Sequence, residues 1–247
     1  MSRPARTARL LVLLAGWVWA LPARSISIDT FDTAQSVSLR TGLSDTQAAV
    51  TTGAASLGGT RDVVVTRDRT SLGTVTLDVD GSEPGLAVLS DPHFAAADWS
   101  LRYDGSLDSV PLHYSGLGGL DLTDAGNSDR LRIIVQANSL LGVGVLVTSS
   151  LDAQSFASAI IPASGSFVDF DVPFSAFAAS GTNPADFAHA GSVIVSFGFL
   201  STLDNPDLPL VARIESLATV PEPSTAVLLT AGLALSTGSR RRFARSA

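Results

Sequence analysis

The chain has 247 residues, of which 45% are hydrophobic, 16% charged and 6% aromatic, enough apolar matter to bury one sizeable core and unlike a disordered, solvating sequence. It contains no cysteine, and all 16 residues of the Lys and Arg class are arginine, which excludes disulfides, thiol catalysis and thiolate metal sites. The net charge of −7 hides an asymmetry: between Ile26 and Thr219, 8 arginines face 22 acidic residues, a net of −14, and a body so acidic repels phosphate and argues against a nucleic-acid partner.

In chain order, Arg3, Arg6 and Arg9 precede an uncharged apolar run from Leu10 to Leu21. A basic lead, a run shorter than the ~20 residues of a membrane span and small residues after it predict a signal peptide over residues 1–25 that is handed to the Sec export machinery. Cleavage is expected after Ala20 or after Ser25. Residues 36–59, rich in Ser, Thr, Ala and Gly, predict a strand and a long loop.

Beyond them the apolar period is 2, which puts alternate residues on one buried face. It predicts strands at 73–80 (Val75, Leu77, Val79), 130–136 (Leu131, Ile133, Val135), 143–147 (Val143, Val145, Val147), 166–172 (Val168, Phe170, Val172) and 192–199 (Val193, Val195, Phe197, Phe199). Shorter strands are expected at 62–66, 86–89, 98–103 and 210–217. Turn clusters such as Gly81-Ser82-Glu83-Pro84-Gly85 and Asp124-Ala125-Gly126-Asn127-Ser128-Asp129 separate them, so residues 26–219 are expected to form one all-β domain, an antiparallel β-sandwich. One short helix is expected where Asn183 caps, Pro184 takes the first helical position and Gly191 follows the end.

Groups able to do chemistry are sparse. The histidines are His93, His113 and His189, with no metal-ligand spacing, and no GxSxG elbow occurs, so the chain is not expected to be an enzyme. The alternative is a secreted hydrolase acting on polysaccharide through aspartates, with Glu83 and Glu215 as the sole glutamates of the body. No cofactor is required; the candidate is calcium, for which Asp78 and Asp80 at alternate strand positions and Asp121, Asp124 and Asp129 offer hard oxygen ligands. The same residues are the ordinary material of turns. Candidate glycan contacts are Trp99, Tyr103, His113 and Tyr114. Trp99 and Tyr103 share one strand face, and in a body this poor in large aromatics that face is expected to be buried.

The chain closes on Val220-Pro221-Glu222-Pro223-Ser224, an apolar run without charge to Ser239, and then Arg240, Arg241 and Arg242. Seventeen residues from Pro223 to Ser239 make a helix of ~25 Å, marginal for a hydrocarbon core of ~30 Å and suited to a transient span of the inner membrane, with the arginines staying on the cytoplasmic side. The two prolines hold Glu222 on extended backbone outside the membrane.

Residues 220–247 closely resemble the PEP-CTERM sorting signal of Gram-negative bacteria, with motif, transmembrane helix and basic tail in order. The resemblance implies processing by an exosortase and delivery to the cell surface or an exopolysaccharide matrix, with Pro221, Glu222 and Pro223 as recognition residues. The segments LDLTDAGNSDRLRIIV, FVDFDVPFSAF and ARIESLATV are similar to the jelly-roll, galactose-binding-like module found among PEP-CTERM proteins. The expected function is a non-enzymatic, structural or adhesive surface protein with weak exopolysaccharide contact.

Overall fold

The computed structural model describes residues 25–40, 46–52, 56–67, 73–91, 97–107, 112–200 and 209–221. The signal peptide, His93, Glu222, Pro223, Ser224, the expected transmembrane helix and Arg240, Arg241 and Arg242 lie outside them. Among the described residues no helix is long and apolar enough to cross a membrane.

Strict alternation of apolar residues leaves a strand one face to bury, and two such faces close on each other. The strands are β1 (Ile26–Asp29), β2 (Gln35–Arg40), β3 (Thr46–Thr52), β4 (Thr60–Arg67), β5 (Thr74–Val79), β6 (Ala87–Asp91), β7 (Ala97–Tyr103), β8 (Ser128–Ala137), β9 (Leu141–Thr148), β10 (Gln154–Ile161), β11 (Val168–Pro173), β12 (Ala178–Ala179), β13 (Ser192–Phe199) and β14 (Leu210–Pro221). One antiparallel sheet has the order β11-β8-β14-β6-β5-β2, with β1 also on β14, and the other the order β12-β10-β9-β13-β7-β4-β3. Val75, Leu77 and Val79 face Leu101, Val145, Val195 and their neighbours in one buried cluster. Each such side chain contributes ~1.5–3 kcal/mol by leaving water.

The expected strands are all present. Residues 36–59 hold more order than a strand and a loop: β2, β3 and a 3-10 turn at Leu57–Gly59. No α-helix forms after Asn183. The segment instead makes one 3-10 turn, Phe187–His189, whose cap is Asp186, its carboxylate accepting from the Ala188 amide. Tertiary contacts outweigh the helix signal here: the Ala185 amide donates to Ser155 Oγ, the Phe187 carbonyl accepts from Leu122 N–H, and Phe187 stacks on Phe174 at 4.6 Å.

β14 decides how the chain ends sit. A bulge at Glu215 shifts its register between Ile214 and Ser216, which turns Leu217 inward, three residues after Ile214. The first half pairs with β6; the second takes β1 as neighbour, Ile26 opposite Thr219. β14 then runs two residues past the expected boundary at Thr219, with Val220 opposite Arg130 and Pro221 opposite Ser128. The chain therefore enters and leaves at the same end of the sandwich, the end opposite the β8–β9 connection. Because β1 and β14 are the outermost described strands in sequence and pair with each other, residues 25–221 contain both sheets and the whole described core.

A buried polar cluster pins β1 into that core. The Arg61 guanidinium and Asp29 carboxylate are 0% and 1% exposed and pair at 3.0 Å through Nη1 and both carboxylate oxygens. Arg61 Nε donates to Gln35 Oε1 at 2.9 Å, Arg61 also donates to the Thr33 carbonyl, and Tyr103 Oη donates to Asp29 at 2.9 Å. Burial, and the Asp29 charge next, push the Tyr103 phenol well above its ordinary range.

Candidate binding groove

The outward faces of the two sheets are chemically different. On the first, charges neutralise one another: Arg132 grips Asp171 in a bidentate pair at 2.7 and 2.9 Å, and Arg213 donates to both oxygens of Glu83 at 2.8 and 2.7 Å. The Arg132 hydrogen bond holds the Asp171 carboxyl below the ordinary aspartate range. Glu83 is thus one half of an ion pair.

Part of the outward face of the second sheet, over β9, β10 and β13, is largely apolar and hollow. A groove of about 640 Å³ runs over β10, β9, β13 and the start of β7, a volume within the range of small-ligand sites. Its floor is made by missing side chains. Gly142 and Gly144 of β9 point outward, and across the ladder Gly142 lies opposite Gly198 on one side and Ile160 on the other. Gly144 lies likewise between Ser196 and Ser158. None of these three glycines has a positive φ, so the backbone conformation does not require them and what matters is the space they leave.

Three neighbours lean into that space. A Cβ on Gly142 would meet the Leu200 side chain at 3.2 Å, one on Gly144 the Phe156 ring at 3.0 Å, and one on Gly198 the Asp98 carboxylate at 2.8 Å. Phe156, Ile160 and Leu200 remain 43%, 60% and 53% exposed, an apolar shelf of the kind that marks a contact surface. Ser158, Ser196 and Asp98 are its polar lining, and among the described residues no arginine or histidine lines it. Desolvation raises the Asp98 carboxyl above the ordinary aspartate range. A shelf with an aromatic edge and hydroxyls at two levels can take the C–H face of a sugar ring and hydrogen-bond its hydroxyls.

The sequence-predicted sites do not converge here. Trp99 and Tyr103 are fully buried, Trp99 with its Nε1 donating to the Thr76 carbonyl at 3.0 Å and its ring edge-on to Phe199 at 5.5 Å. Burial removes both from glycan contact. His113 is exposed and Tyr114 half-buried, in the segment before β8; the Tyr114 carbonyl accepts from Thr148 Oγ1 at 3.0 Å. That places them at the end where the chain ends emerge, away from the groove.

The calcium candidates serve their own turns. Asp80 lies beyond β5 with φ 48°, so strand alternation does not put it beside Asp78. Asp78 accepts from the Ser82 amide and Asp80 from the Gly85 amide, both at 2.8 Å. Asp121 accepts from Thr123 N, Thr123 Oγ1 and Ala125 N, while Asp129 pairs with Arg130 at 2.9 Å. Asp124, with φ 49°, gives its carbonyl to Asn127. Among the described residues no three acidic or histidine side chains are placed to hold a metal.

The groove residues were missed from sequence because apolar residues of β10 do not track its buried face. Apolar Phe156 and Ile160 face outward while Ser155 and Ala157 face inward, so period 2 is hidden. Outward apolar residues beside in-strand glycines are the signal that was available.

No protein-family model matches the chain, and no curated protein matches it. Among solved structures, a family 11 carbohydrate-binding module from Clostridium thermocellum, in complex with a β-1,3-1,4-mixed-linked tetrasaccharide, is similar at 11% identity and TM-score 0.40, over 80% of this chain and 95% of its own. A family 29 carbohydrate-binding module is similar at 12% identity and TM-score 0.32, over 76% and 88%. The structure of PfGH50B is similar at 12% identity and TM-score 0.39, over 65% of this chain and 22% of its own. At such scores the likenesses carry no functional weight.

Proposed function

We propose that this chain is an exported surface or matrix protein that makes non-enzymatic, adhesive contact with exopolysaccharide through the groove on β9, β10 and β13. In this reading its sandwich is of the jelly-roll, galactose-binding-like kind. A signal peptide directs it to the Sec machinery, and a short transmembrane helix holds it at the inner membrane until an exosortase cuts at Val220–Ser224. The observation that carries the binding role is the glycine floor, where three outward side chains are missing together beneath Phe156, Ile160 and Leu200.

The position of the groove supports it. Gly142 lies near the β8–β9 connection and Pro221 opposite the start of β8, so groove and chain ends are separated along the strands by ~20–30 Å at ~3.3 Å per residue. A body tethered through its ends turns the groove outward. Among the described residues the groove's polar groups are one carboxylate and two serine hydroxyls, with no histidine beside the serines to activate them, which supports contact over turnover.

Two experiments test the two halves. Co-sedimentation of the 25–221 fragment with native exopolysaccharide is expected to show binding that Gly144→Leu, which displaces Phe156 and fills the floor, weakens about tenfold, the scale of a lost small-ligand contact. Equal binding by that variant removes the groove from the proposal, and turnover of the polymer by the fragment moves the protein to the hydrolase reading. Replacing Pro221, Glu222 and Pro223 by alanine is expected to leave export intact and trap an uncleaved, membrane-held form; normal maturation contradicts the sorting half.

A further inference from the structure

Resting on the groove as a polysaccharide site, the structure carries the choice of polymer one step further. Among the described residues the single charge lining the groove is the Asp98 carboxylate. It leans from β7 over Gly198 of β13, where a Cβ would stand 2.8 Å from Asp98 Oδ1. Among the described residues it has no hydrogen-bond or ion-pair partner, in contrast to Asp169 and Asp171 on the other sheet, which Arg132 holds. Desolvation raises its pKa above the ordinary aspartate value. Its side chain is exposed at the groove wall, open to a ligand that brings the opposite charge.

We propose that the groove takes a polysaccharide bearing protonated amino groups, a hexosamine polymer from which part of the N-acetyl groups has been removed. The sugar's C–H face lies on Phe156, Ile160 and Leu200, its hydroxyls reach Ser158 and Ser196, and its ammonium donates to Asp98. Anionic polymers are rejected twice, by Asp98 at the site and by the net −14 of residues 26–219 around it. Neutral polymers keep the stacking and lose the ion pair.

The test compares, at mildly acidic pH, the binding of the 25–221 fragment to hexamers of glucosamine and of N-acetylglucosamine and to an oligouronate. The glucosamine hexamer is expected to bind about tenfold tighter than its acetylated counterpart, the scale of one charge-assisted hydrogen bond, and the oligouronate not at all. Asp98→Asn is expected to abolish that preference while leaving the acetylated hexamer within about twofold. Since Asp98 is exposed, the variant is expected to unfold at the same urea concentration as wild type, so lost binding cannot be lost folding. Asp152→Asn, at an exposed position outside the groove, controls for attraction to the acidic surface at large.

Equal affinity for the two hexamers, or equal losses in Asp98→Asn and Asp152→Asn, overturns the amino-sugar assignment and leaves the proposed function standing. Absence of binding to every oligomer and to the native exopolysaccharide overturns both.

Discussion

Replacing Asp29 by alanine removes the centre of the buried cluster beneath β1. The carboxylate accepts two bonds from Arg61 Nη1 at 3.0 Å, one from Tyr103 Oη at 2.9 Å and one from the Phe31 amide at 2.8 Å. None of these donors reaches water easily, since Arg61, Tyr103 and Phe31 are each 0% exposed. Breaking a buried pair from one side leaves an uncompensated charge and costs ~3–5 kcal/mol, against a total stability of ~5–15 kcal/mol for a domain. Urea unfolding of the 25–221 fragment is a clean assay because its sole tryptophan, Trp99, is fully buried. The variant is expected to unfold at a much lower midpoint with an unchanged slope. Asp29→Ala combined with Arg61→Met is expected to recover part of the loss, because the orphaned charge is gone. A loss below ~1 kcal/mol in Asp29→Ala refutes the reasoning.

Other expectations follow from the same contacts. Tyr103, with its pKa raised by burial, is expected to stay protonated in the fold, so stability present below about 10 is lost as pH rises through the ordinary tyrosine value and beyond; in an ultraviolet titration one of the fragment's two tyrosines should ionise only with alkaline unfolding. Asp171, with its pKa lowered by Arg132, contributes stability above the ordinary aspartate pKa and loses it as pH falls. Asp171→Asn is therefore expected to cost up to ~1 kcal/mol at pH 7 and less in acid; a larger loss in acid contradicts the sign. The 25–221 fragment alone is expected to give a β-dominated circular dichroism spectrum, and a helical one contradicts the sandwich.

The architecture was legible because its strands alternate. Leu131, Ile133 and Val135, or Val193, Val195 and Phe197, announce a buried face by spacing alone, and each is buried as spaced. Trp99 and Tyr103 fell on the core face for the same reason. What stayed hidden were features set by tertiary partners. The capping signal at Asn183 and Pro184 lost to Ser155, Leu122 and Phe174. The bulge at Glu215, invisible in the pattern, turned Leu217 inward, and β10 concealed itself by facing Phe156 and Ile160 to solvent. The acidic turns read both as turns and as metal loops because turn-making and calcium binding use the same short oxygen side chains; in the structure Asp78, Asp80 and Asp121 accept from the amides of their own turns.

The central claim is that polysaccharide meets this protein on the outward face of the β10-β9-β13-β7 sheet. Backbone amide chemical-shift mapping of the 25–221 fragment, titrated with oligosaccharides cut from the native exopolysaccharide, tests it most directly. The account predicts shifts clustered at Gly142, Gly144, Phe156, Ser158, Ser196 and Gly198, with the strands carrying Arg132 and Asp171 unmoved. Shifts centred on that charged sheet, or on His113 and Tyr114 at the end where the chain leaves, would contradict it.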